Sequence, residues 1–480
     1  MESGFPSRFN GPLAVRERIG DAVTLGPTGL GEECLSGWGR YPVQRTYLNR
    51  PESLSSLASS IGQAGARTVV ARGYGRSYGD AAINADGLTI LTERLDRLLS
   101  FDVKTGILSC ESGVALGEIL RVFVPDGWFL PVTPGTQYVT VGGALASDVH
   151  GKNHHQDGSF SRFVQSFRIV LASGEHIECS RERNSDLFWA TIGGMGLTGI
   201  VTDVRFGLLP IESAFVELHR IKASNLDEAL ALFDEHEPRY RYSVAWVDCL
   251  AKGRNQGRSI LYFGNHARVE ALSPVQQRSP LALSARSHIT VPFDMPWCLL
   301  NAQAMACFND LYYARHAGKE KHRIVDLESF FYPHDALLSW NKLCGPAGFV
   351  QFQSVVPLES GRTAIRQLLS EVSQKGRDSF LAVLKKFGDQ EGWLSFPMPG
   401  YTLTLNIPVR DGILEFMSRL EELVIGYGGR VYLAKDACLT AEGFRKMYPK
   451  FPQWLEVKSR VDPEDKFSSS LSRRLRMHAL

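Results

Sequence analysis

The sequence carries little net charge for its length. Its 480 residues include 53 Lys and Arg against 51 Asp and Glu, which gives a formal charge of +2. A protein that binds nucleic acid normally has a clear basic excess or a basic patch. The charge balance therefore predicts no nucleic-acid partner. The length predicts roughly two or three domains, enough to bury a large core.

Paired cysteines are also missing. The eight cysteines are scattered along the chain and form no C-x-x-C pair. The cysteines of disulfide-rich or zinc-binding proteins usually recur at characteristic spacings. We therefore expect reduced thiols, no structural zinc site and no metal-binding residues.

Long apolar runs are absent as well. No stretch approaches the roughly 18 apolar residues that a membrane-spanning helix needs. The first 20 residues lack the charged segment and apolar segment of a secretory signal. The sequence thus predicts a protein that is made and kept in the cytoplasm, and it leaves peripheral docking on a membrane open.

The pattern of elements predicts two folded regions and a returning tail. Residues 1–213 alternate short strands and helices without a regular βαβ period. Residues 214–429 read as a second α+β domain, in which residues 251–325 are polar and rich in loops. The tail, residues 430–480, has few apolar residues, so we expect it to return to the first domain.

A literal G-x-G-x-x-G motif occurs at residues 194–199. In a Rossmann nucleotide-binding fold, a strand precedes this motif and a helix follows it. Here a helix-like stretch, DLFWATI, precedes the motif, and an alternating strand at residues 200–206 follows it. The reversed order argues against a nicotinamide dinucleotide site, although the glycines still allow close approach of the backbone to a ligand.

Two other glycine-rich segments favour a phosphate-bearing cofactor. GYGRSYG at residues 73–79 follows a predicted strand, and its backbone N–H groups can form an anion-binding nest. TVGG at residues 140–143 opens a predicted helix, whose N-terminus would face a pyrophosphate. Either segment alone would favour a structural turn. Together they predict the cofactor.

Three segments together resemble the FAD-binding domain, of the PCMH type, of the vanillyl-alcohol oxidase superfamily. They are RGYGRSYGD at residues 72–80, PGTQYVTVGG at 134–143 and GGMGLTGI at 193–200. Two further segments, DVHGKNHH at 148–155 and AKD at 434–436, are similar to the branch that oxidises polyprenyl-phosphoryl ribose. The likeness runs from about residue 35 to the C-terminus.

The resemblance implies an α+β flavoprotein with two domains. The N-terminal and C-terminal segments would form the FAD-binding domain, and the region between them would form a substrate domain with an antiparallel sheet. Many members attach FAD covalently through a histidine in the first glycine loop. This chain has Arg76 at that position, so the resemblance implies FAD held non-covalently.

The matching motif positions supply the candidate cofactor-binding residues. They are Arg72, Gly73, Gly75, Arg76, Ser77, Tyr78, Gly79, Pro134, Gly135, Thr136, Thr140, Gly142, Gly143, His150, Gly151, Asn153, Gly196, Gly199, Ile200 and Lys435.

Lys435, His150 and Gln353 are the candidate catalytic residues. A lysine buried beside a flavin has a lowered pKa and can accept the proton of a hydroxyl group. Without the resemblance, Lys435 would be interpreted as a solvated surface lysine and His150 equally well as a structural one. Gln351 and Gln353 alternate along a predicted strand and so share one face. We expect Gln353 to contact the sugar or the flavin edge.

Five residues are the candidate substrate-binding residues. Lys152 would meet a phosphate, Lys385 and Tyr332 would line the pocket, and Trp246 would form either an apolar wall or part of the core. Mycobacterial members of the branch have a cysteine where this chain has Thr404. Hydride transfer does not need that thiol. Inhibitors that act by reacting with the thiol do need it.

The resemblance implies oxidation of the 2-hydroxyl of a polyprenyl-phosphoryl-β-D-ribose to a 2-keto intermediate. This would be the first step of epimerisation to the arabinose donor for cell-envelope glycans. The implied partners are the lipid-linked sugar phosphate and a separate NADH-dependent keto-reductase, with peripheral contact at the inner membrane. Two alternatives stay open: an alditol or aldonolactone oxidase that uses O2 on a free sugar, and a flavin-bound scaffold or carrier without activity.

Overall fold

The computed structural model describes residues 31–284, 288–296, 301–316, 318–374, 379 and 381–478. The first 30 residues of the predicted first domain, which include the segment tested for a secretory signal, lie outside the described residues.

The described part of the first 210 residues contains a four-stranded sheet, a five-stranded sheet and a two-stranded pair. The described strands in this region are β1 (Gly31–Ser36), β2 (Val43–Asn49), β3 (Val69–Arg72), β4 (Leu88–Leu91), β5 (Leu98–Asp102), β6 (Ile107–Glu111), β7 (Trp128–Phe129), β8 (Val164–Val170), β9 (His176–Ser180), β10 (Ile200–Gly207) and β11 (Leu209–Pro210). One sheet has the order β1-β2-β4-β3, with parallel pairing at β4. The other has the order β5-β6-β10-β8-β9 and is antiparallel.

A large antiparallel sheet follows. The strands beyond residue 210 are β12 (Phe215–Ala223), β13 (Tyr242–Val247), β14 (Ser259–His266), β15 (Ile289–Thr290), β16 (Glu320–Asp326), β17 (Leu337–Leu338), β18 (Phe349–Pro357), β19 (Leu381–Phe387), β20 (Gly400–Pro408) and β21 (Arg430–Val431). The sheet has the order β16-β12-β14-β13-β19-β20-β18-β21. Strands β18 and β20 are buried along nearly their whole length because the sheet is covered on both faces there.

Helices pack beside these sheets. They are α1 (Leu54–Gln63), α2 (Leu116–Phe123), α3 (Val141–Ala146), α4 (His154–Asp157), α5 (Ser185–Thr191), α6 (Leu226–His236), α7 (Pro274–Gln277), α8 (Ala302–Arg315), α9 (Leu327–Phe331), α10 (Leu358–Gln374), α11 (Ile413–Gly426), α12 (Ala441–Met447), α13 (Phe451–Val461) and α14 (Ser470–Arg474). None of the helices in the described ranges is both long and apolar enough to cross a membrane. The α+β class is confirmed.

Two local predictions are wrong. Residues 251–325 contain β14, α8 and β16, which the polar composition of this region concealed. Residues 432–436 look like a strand in the sequence, but the chain leaves β21 at Val431 and forms a 3-10 turn over Leu433–Lys435. The turn forms because the Lys435 N–H donates to the Tyr432 carbonyl at 3.0 Å.

The C-terminal segment lies against the N-terminal sheets. The indole N–H of Trp454, on α13, donates to the Ala190 carbonyl of α5 at 2.9 Å. Phe467 forms a β-bridge with Val69 of β3. Arg474 binds Asp80 at 2.7 Å and Asp436 at 2.8 Å. These contacts are those expected of a returning tail, while the domain bounds at residues 213 and 429 stay a prediction.

Candidate active site

One cavity of about 800 Å³ lies between the glycine loops and the large sheet. Residues 73–78, 134–136 and 138–140 line one side, together with Gly142 and Gly143. The opposite side is formed by side chains of β12, β13, β14, β16, β18, β19 and β20, and by α8. The cavity therefore reaches from the predicted cofactor loops into the predicted substrate region.

The first glycine loop is held from behind by Arg72. Its guanidinium donates to the carbonyls of Ser36 at 2.8 Å and Ala82 at 3.2 Å. Gly75 has a φ of +63°, and a side chain there would meet that guanidinium at 2.2 Å. Arg72 is buried outside the cavity lining, so its predicted role in cofactor binding is corrected to a role in shaping the loop.

Gly79 also lies behind the loop. A Cβ at this position would come within 1.7 Å of the Asp436 carbonyl oxygen. The missing side chain therefore allows the loop to pack on the returning C-terminal segment. Gly73, Gly75, Ser77 and Tyr78 line the cavity, as the sequence predicts.

Arg76 lines the cavity at the position where many superfamily members have the linking histidine. Its guanidinium lies 3.9 Å from the centroid of a Trp38 ring and 5.2 Å from that of Tyr138. Such cation–π contacts orient the cation along the cavity wall. The position holds no imidazole that could form the covalent bond.

The N-terminus of α3 is not an open anion site. The Val141 N–H donates to Val114 O at 2.9 Å and the Gly142 N–H to Ser112 O at 2.8 Å. The Gly143 N–H is capped by the Thr140 hydroxyl oxygen at 3.2 Å. The prediction that this helix N-terminus faces a pyrophosphate is therefore wrong, because its first amides already have partners. Thr140, Gly142 and Gly143 still line the cavity.

The remaining loop residues mostly meet the expectation. Pro134, Gly135, Thr136, Gly151, Gly196, Gly199 and Ile200 all line the cavity. Asn153 does not; its amide donates to the Pro131 carbonyl at 2.8 Å and to Asp157 at 2.7 Å. Its predicted contact with the cofactor is corrected to support of the loop that carries Gly151.

His150 presents an unused donor at the cavity. Its Nε2 accepts from the amide of Gln353 at 2.9 Å, so the ring proton is on Nδ1. Burial, and the charges of Lys385 and Lys435, hold the pKa of His150 well below 6.5, and the ring is neutral. Among the described residues nothing accepts from His150 Nδ1. A buried donor without a partner indicates that a polar ligand completes the site.

Gln353 is set back from the cavity. It is fully buried, and its amide also donates to Thr402 at 3.0 Å. The expected contact of Gln353 with the sugar or the flavin edge is therefore corrected to a hydrogen bond that orients His150. Gln351, two residues earlier on β18, lines the cavity instead.

Three lysines converge on the cavity. Burial lowers the pKa of Lys385 to about 8, and burial together with the charge of Lys385 lowers that of Lys152 and Lys435 to about 7. None of the three has an ion pair with a carboxylate in the described ranges. Lys152 donates to the backbone carbonyls of Phe330 and Phe331. The positive charges of the three lysines repel one another, and an anionic ligand would offset that repulsion. The cluster therefore favours an anionic ligand.

One region of the cavity is lined by aromatic and aliphatic side chains. Trp246 packs on Tyr312 with ring centroids 4.8 Å apart. Phe308, Leu381 and Val383 complete this region, which we call the apolar arm. Thr404 lines the cavity on β20. The predicted position of Trp246 at an apolar wall is thus found.

Tyr332 is not part of the lining. Only 1% of it is exposed, and its hydroxyl lies 2.6 Å from the Thr133 hydroxyl. Its predicted contact with the substrate is corrected to a link between the second glycine loop and the segment that follows α9.

Sequence reasoning missed several lining residues. Asp335 accepts from the Gln137 N–H at 2.9 Å, and burial raises its pKa to about 6. Trp38 and Tyr138 frame Arg76. Asp335 lies in no motif, so nothing in the sequence signals it. Trp38 lies in SGWGR at residues 36–40, and only the fold brings it beside Arg76.

The cavity fits FAD. The glycine loops bring backbone close to the ligand, and His150 offers a buried donor. Phosphate groups would meet cationic side chains, and the apolar area would suit a flat ring system. When bound, the flavin supplies hydride acceptance.

Two family models match the chain in separate regions. The FAD binding domain model matches residues 46–180, and the D-arabinono-1,4-lactone oxidase model matches residues 348–475. The first match contains two of the three glycine loops, and the second contains Gln353, Lys385 and Lys435.

Curated relatives match over most of the chain. A decaprenylphosphoryl-β-D-ribose oxidase of Mycolicibacterium smegmatis is 38% identical over 92% of this chain and 97% of its own length. An L-gulono-1,4-lactone dehydrogenase of Mycobacterium tuberculosis is 23% identical over 91% of this chain and 98% of its own length. The two-domain flavoprotein fold, FAD as cofactor and an oxidoreductase activity are thereby confirmed. The chain belongs to the decaprenylphosphoryl-β-D-ribose oxidase family of FAD-dependent oxidoreductases.

Proposed function

We propose that this protein oxidises the 2-hydroxyl of a polyprenyl-phosphoryl-β-D-ribose to the 2-keto sugar. The observation that carries the proposal is the composition of the one cavity described above. It joins the FAD loops to three lysines without carboxylate partners in the described ranges, and then to the apolar arm. The sugar of such a substrate would lie beside the FAD loops, its phosphate diester would contact the lysines, and its prenyl chain would occupy the apolar arm. The family relationship supports the same substrate class.

Lys435 is the proposed proton acceptor. Its Nζ lies 5.4 Å from the centroid of the Tyr78 ring, which lines the cavity beside the first glycine loop. With a pKa of about 7, a large fraction of Lys435 is neutral at physiological pH. The neutral amine would take the hydroxyl proton, and FAD, when bound, would supply acceptance of the hydride.

His150 and Gln353 fix the sugar. Because Gln353 donates to Nε2, the Nδ1–H of His150 is held ready for an oxygen of the substrate or the flavin. We assign Gln353 as a positioning residue that acts through His150. Lys385 and Lys152 line the same cavity, and a bound phosphate would stabilise their charged forms.

The flavin is proposed to be held without a covalent bond. Arg76 occupies the position of the linking histidine, and its stacking on Trp38 keeps it at the cavity wall. A permanently charged guanidinium cannot form the covalent linkage but can pair with an anionic group. Residues 1–213 and 430–480 are the proposed flavin-binding part, and residues 214–429 the proposed substrate part.

Peripheral membrane contact follows from the substrate. Large apolar side chains near the apolar arm are exposed: Phe308 is 52% and Leu311 is 66% exposed on α8. A prenyl chain that leaves the arm would meet this helix. Docking at the inner membrane would let the lipid-linked sugar enter without crossing water.

A separate keto-reductase is the proposed partner. Oxidation at C2 removes the stereocentre at that carbon. Delivery of a hydride to the opposite face of the ketone would then give the arabino sugar. The reduction needs a nicotinamide donor. The pair of reactions would supply the arabinose donor for cell-envelope glycans.

Product trapping tests the position of oxidation. The enzyme is turned over on farnesylphosphoryl-β-D-ribose with an artificial electron acceptor, and the product is reduced with borodeuteride. We expect deuterium at C2 and a mixture of ribo and arabino sugars. Deuterium at another carbon would overturn the regiochemistry, and absence of any label would overturn the proposed substrate.

A second candidate is an oxidase of aldonolactones or alditols. The match of residues 348–475 to the D-arabinono-1,4-lactone oxidase model favours it. That reaction needs no phosphate site and no apolar arm. Turnover of L-gulono-1,4-lactone or xylitol with O2, together with no response to the prenyl-phosphoryl sugar, would select this candidate.

A further inference from the structure

A cluster of two histidines and one glutamate lies on strands β12 and β16 of the large sheet. None of the three is among the catalytic residues proposed above. His219 of β12 stands directly opposite His322 of β16 in the strand register. Glu320 precedes His322 by two residues on the same strand, so all three side chains share one face. The two imidazole rings stack with centroids 4.1 Å apart.

The donor atoms of the cluster converge. Glu320 Oε1 lies 2.5 Å from His219 Nε2 and 3.4 Å from His322 Nε2. One ligand atom from each residue lies within 4.8 Å of the other two. Around a tetrahedral zinc ion with bonds of about 2.0–2.1 Å, neighbouring donors lie roughly 3.3 Å apart. The exposed side chains of Glu320 and His322 would rotate to admit an ion between them and His219.

The buried member is already oriented for coordination. The hydroxyl of Tyr240 lies 3.0 Å from His219 Nδ1, on the far side of the ring from Glu320. A histidine that binds a metal through one nitrogen usually donates its other N–H to such a partner, which fixes the tautomer.

We propose that His219, Glu320 and His322 form a binding site for a zinc-class divalent cation. Two imidazoles and a carboxylate suit zinc, with a water molecule at the fourth position. The sequence predicts no metal site, because His219 lies 101 positions before Glu320 and the set shows no characteristic ligand spacing. The register of β12 and β16 brings them together.

The site would stabilise an edge strand that forms part of the cavity wall. Strand β16 is at the end of the sheet and pairs only with β12 within the described residues. The residues of opposite parity on these strands, Leu218, Arg323 and Val325, line the cavity. A bound cation would cross-link the two strands on their outer face and so restrain the wall on the inner face.

Zinc titration of the FAD-loaded protein tests the proposal. The full chain, without any affinity tag, is freed of metal with a chelator and titrated with zinc chloride by calorimetry. We expect one saturable site per chain and slower amide exchange at residues 320–326 when zinc is bound. No saturable binding by the wild type would overturn the proposal.

Matched variants locate the site. His322→Ala and Glu320→Gln change residues whose side chains are 67% and 54% exposed, so the fold should survive. Removing a residue that only hydrogen-bonds to a metal ligand weakens metal binding about 10- to 100-fold. We expect at least that loss of zinc affinity when a ligand itself is replaced. His176→Ala and Glu217→Gln change exposed residues outside the cluster and should bind zinc like the wild type.

The variants also separate this proposal from the proposed activity. Zinc binding is measured without substrate, so failure of the oxidase assay leaves it standing. If His322→Ala and Glu320→Gln bind zinc as tightly as the wild type, zinc occupies another place and the proposal fails. A protein in which only a hydrogen bond joins His219 and Glu320 would give no saturable site.

Discussion

At the residue scale, the protein keeps the ammonium group of Lys435 in a costly environment. Burial and the charge of Lys385 lower its pKa to about 7. A surface lysine would be subject to neither effect. A lysine whose pKa lies near 7 can change its protonation state during a reaction, which is typical of a functional site. The sequence could not show this, because Lys435 is an ordinary lysine until the chain turns over Leu433–Lys435.

Substituting Lys435 should remove the proton acceptor. We expect Lys435→Ala to slow anaerobic flavin reduction by about 10²- to 10⁴-fold, the usual contribution of a general base. FAD content should stay at the level of the wild type. Lys386→Ala is the control, since Lys386 follows the cavity residue Lys385 on β19 but its side chain pairs with Asp234 at 2.7 Å. Equal rates in Lys435→Ala and wild type would contradict the assignment.

The same residue predicts a pH dependence. Only the neutral amine accepts a proton, and it dominates above a pH of about 7. The rate of flavin reduction should therefore rise with pH through about 7 and then level off. Stopped-flow reduction across this range should show the inflection in the wild type and not in Lys435→Ala. An inflection that persists in the variant would belong to another group.

Arg76 predicts how the flavin is retained. With a guanidinium at the position of the linking histidine, acid precipitation should release all FAD into the supernatant. The absorbance of the pellet and of the supernatant measures this directly. Flavin that stays in the washed pellet would show a covalent bond and refute the interpretation of Arg76.

The residue scale also shows where prediction from sequence fails. Motif positions such as Gly75 and Arg76 were placed correctly, because the loop conformation depends on local sequence. Arg72, Gly79 and Asn153 lie in the same motifs but face away from the cavity. Their direction depends on partners such as Ser36 and Asp436, which are distant in the sequence.

At the element scale, strong local signals were enough. The hairpin β5–β6 forms with Gly106 at a φ of +70°, as its turn sequence predicts. Helix α1 begins at Leu54, because Ser53 and Ser56 form a capping box at its N-terminus. Strand β16 was missed since only a neighbouring strand explains its exposed, charged sequence.

A buried carboxylate follows α6 and predicts a pH effect on stability. Glu237 is 4% exposed, accepts from the Ser243 hydroxyl at 2.6 Å and lies 3.9 Å from both Lys386 Nζ and His155 Nδ1. Burial raises its pKa from 4.5 to about 7. Between these values the folded state binds more protons than the unfolded chain, so this group adds stability as the pH falls from 7 to 4.5.

Glu237→Gln should remove this dependence. At pH 8 the ionised Glu237 costs up to about 3 kcal/mol of the free energy of unfolding, from a shift of about 2.5 pKa units. The variant should therefore unfold at higher urea than the wild type at pH 8, and the difference should vanish near pH 4.5. Glu235→Gln, at an exposed position on α6, is the control. A variant less stable at pH 8 would mean that the carboxylate is held by its neighbours.

At the scale of the whole molecule, the site depends on chain segments that lie far apart. His150 follows the second glycine loop and Lys435 follows β21, yet both line one cavity, and Gln353 of β18 supports His150 from behind. No local pattern predicts such a meeting. The resemblance supplied it, since residues that share a motif with a known family inherit its arrangement along with its chemistry.

Anaerobic bleaching of the flavin tests the central claim most directly. The purified protein is mixed without oxygen with farnesylphosphoryl-β-D-ribose, and the flavin absorbance is followed. The proposed function predicts rapid bleaching by this sugar and none by xylitol or L-gulono-1,4-lactone. An oxidised flavin that does not respond to the prenyl-phosphoryl sugar, in protein that binds FAD fully, would contradict the account.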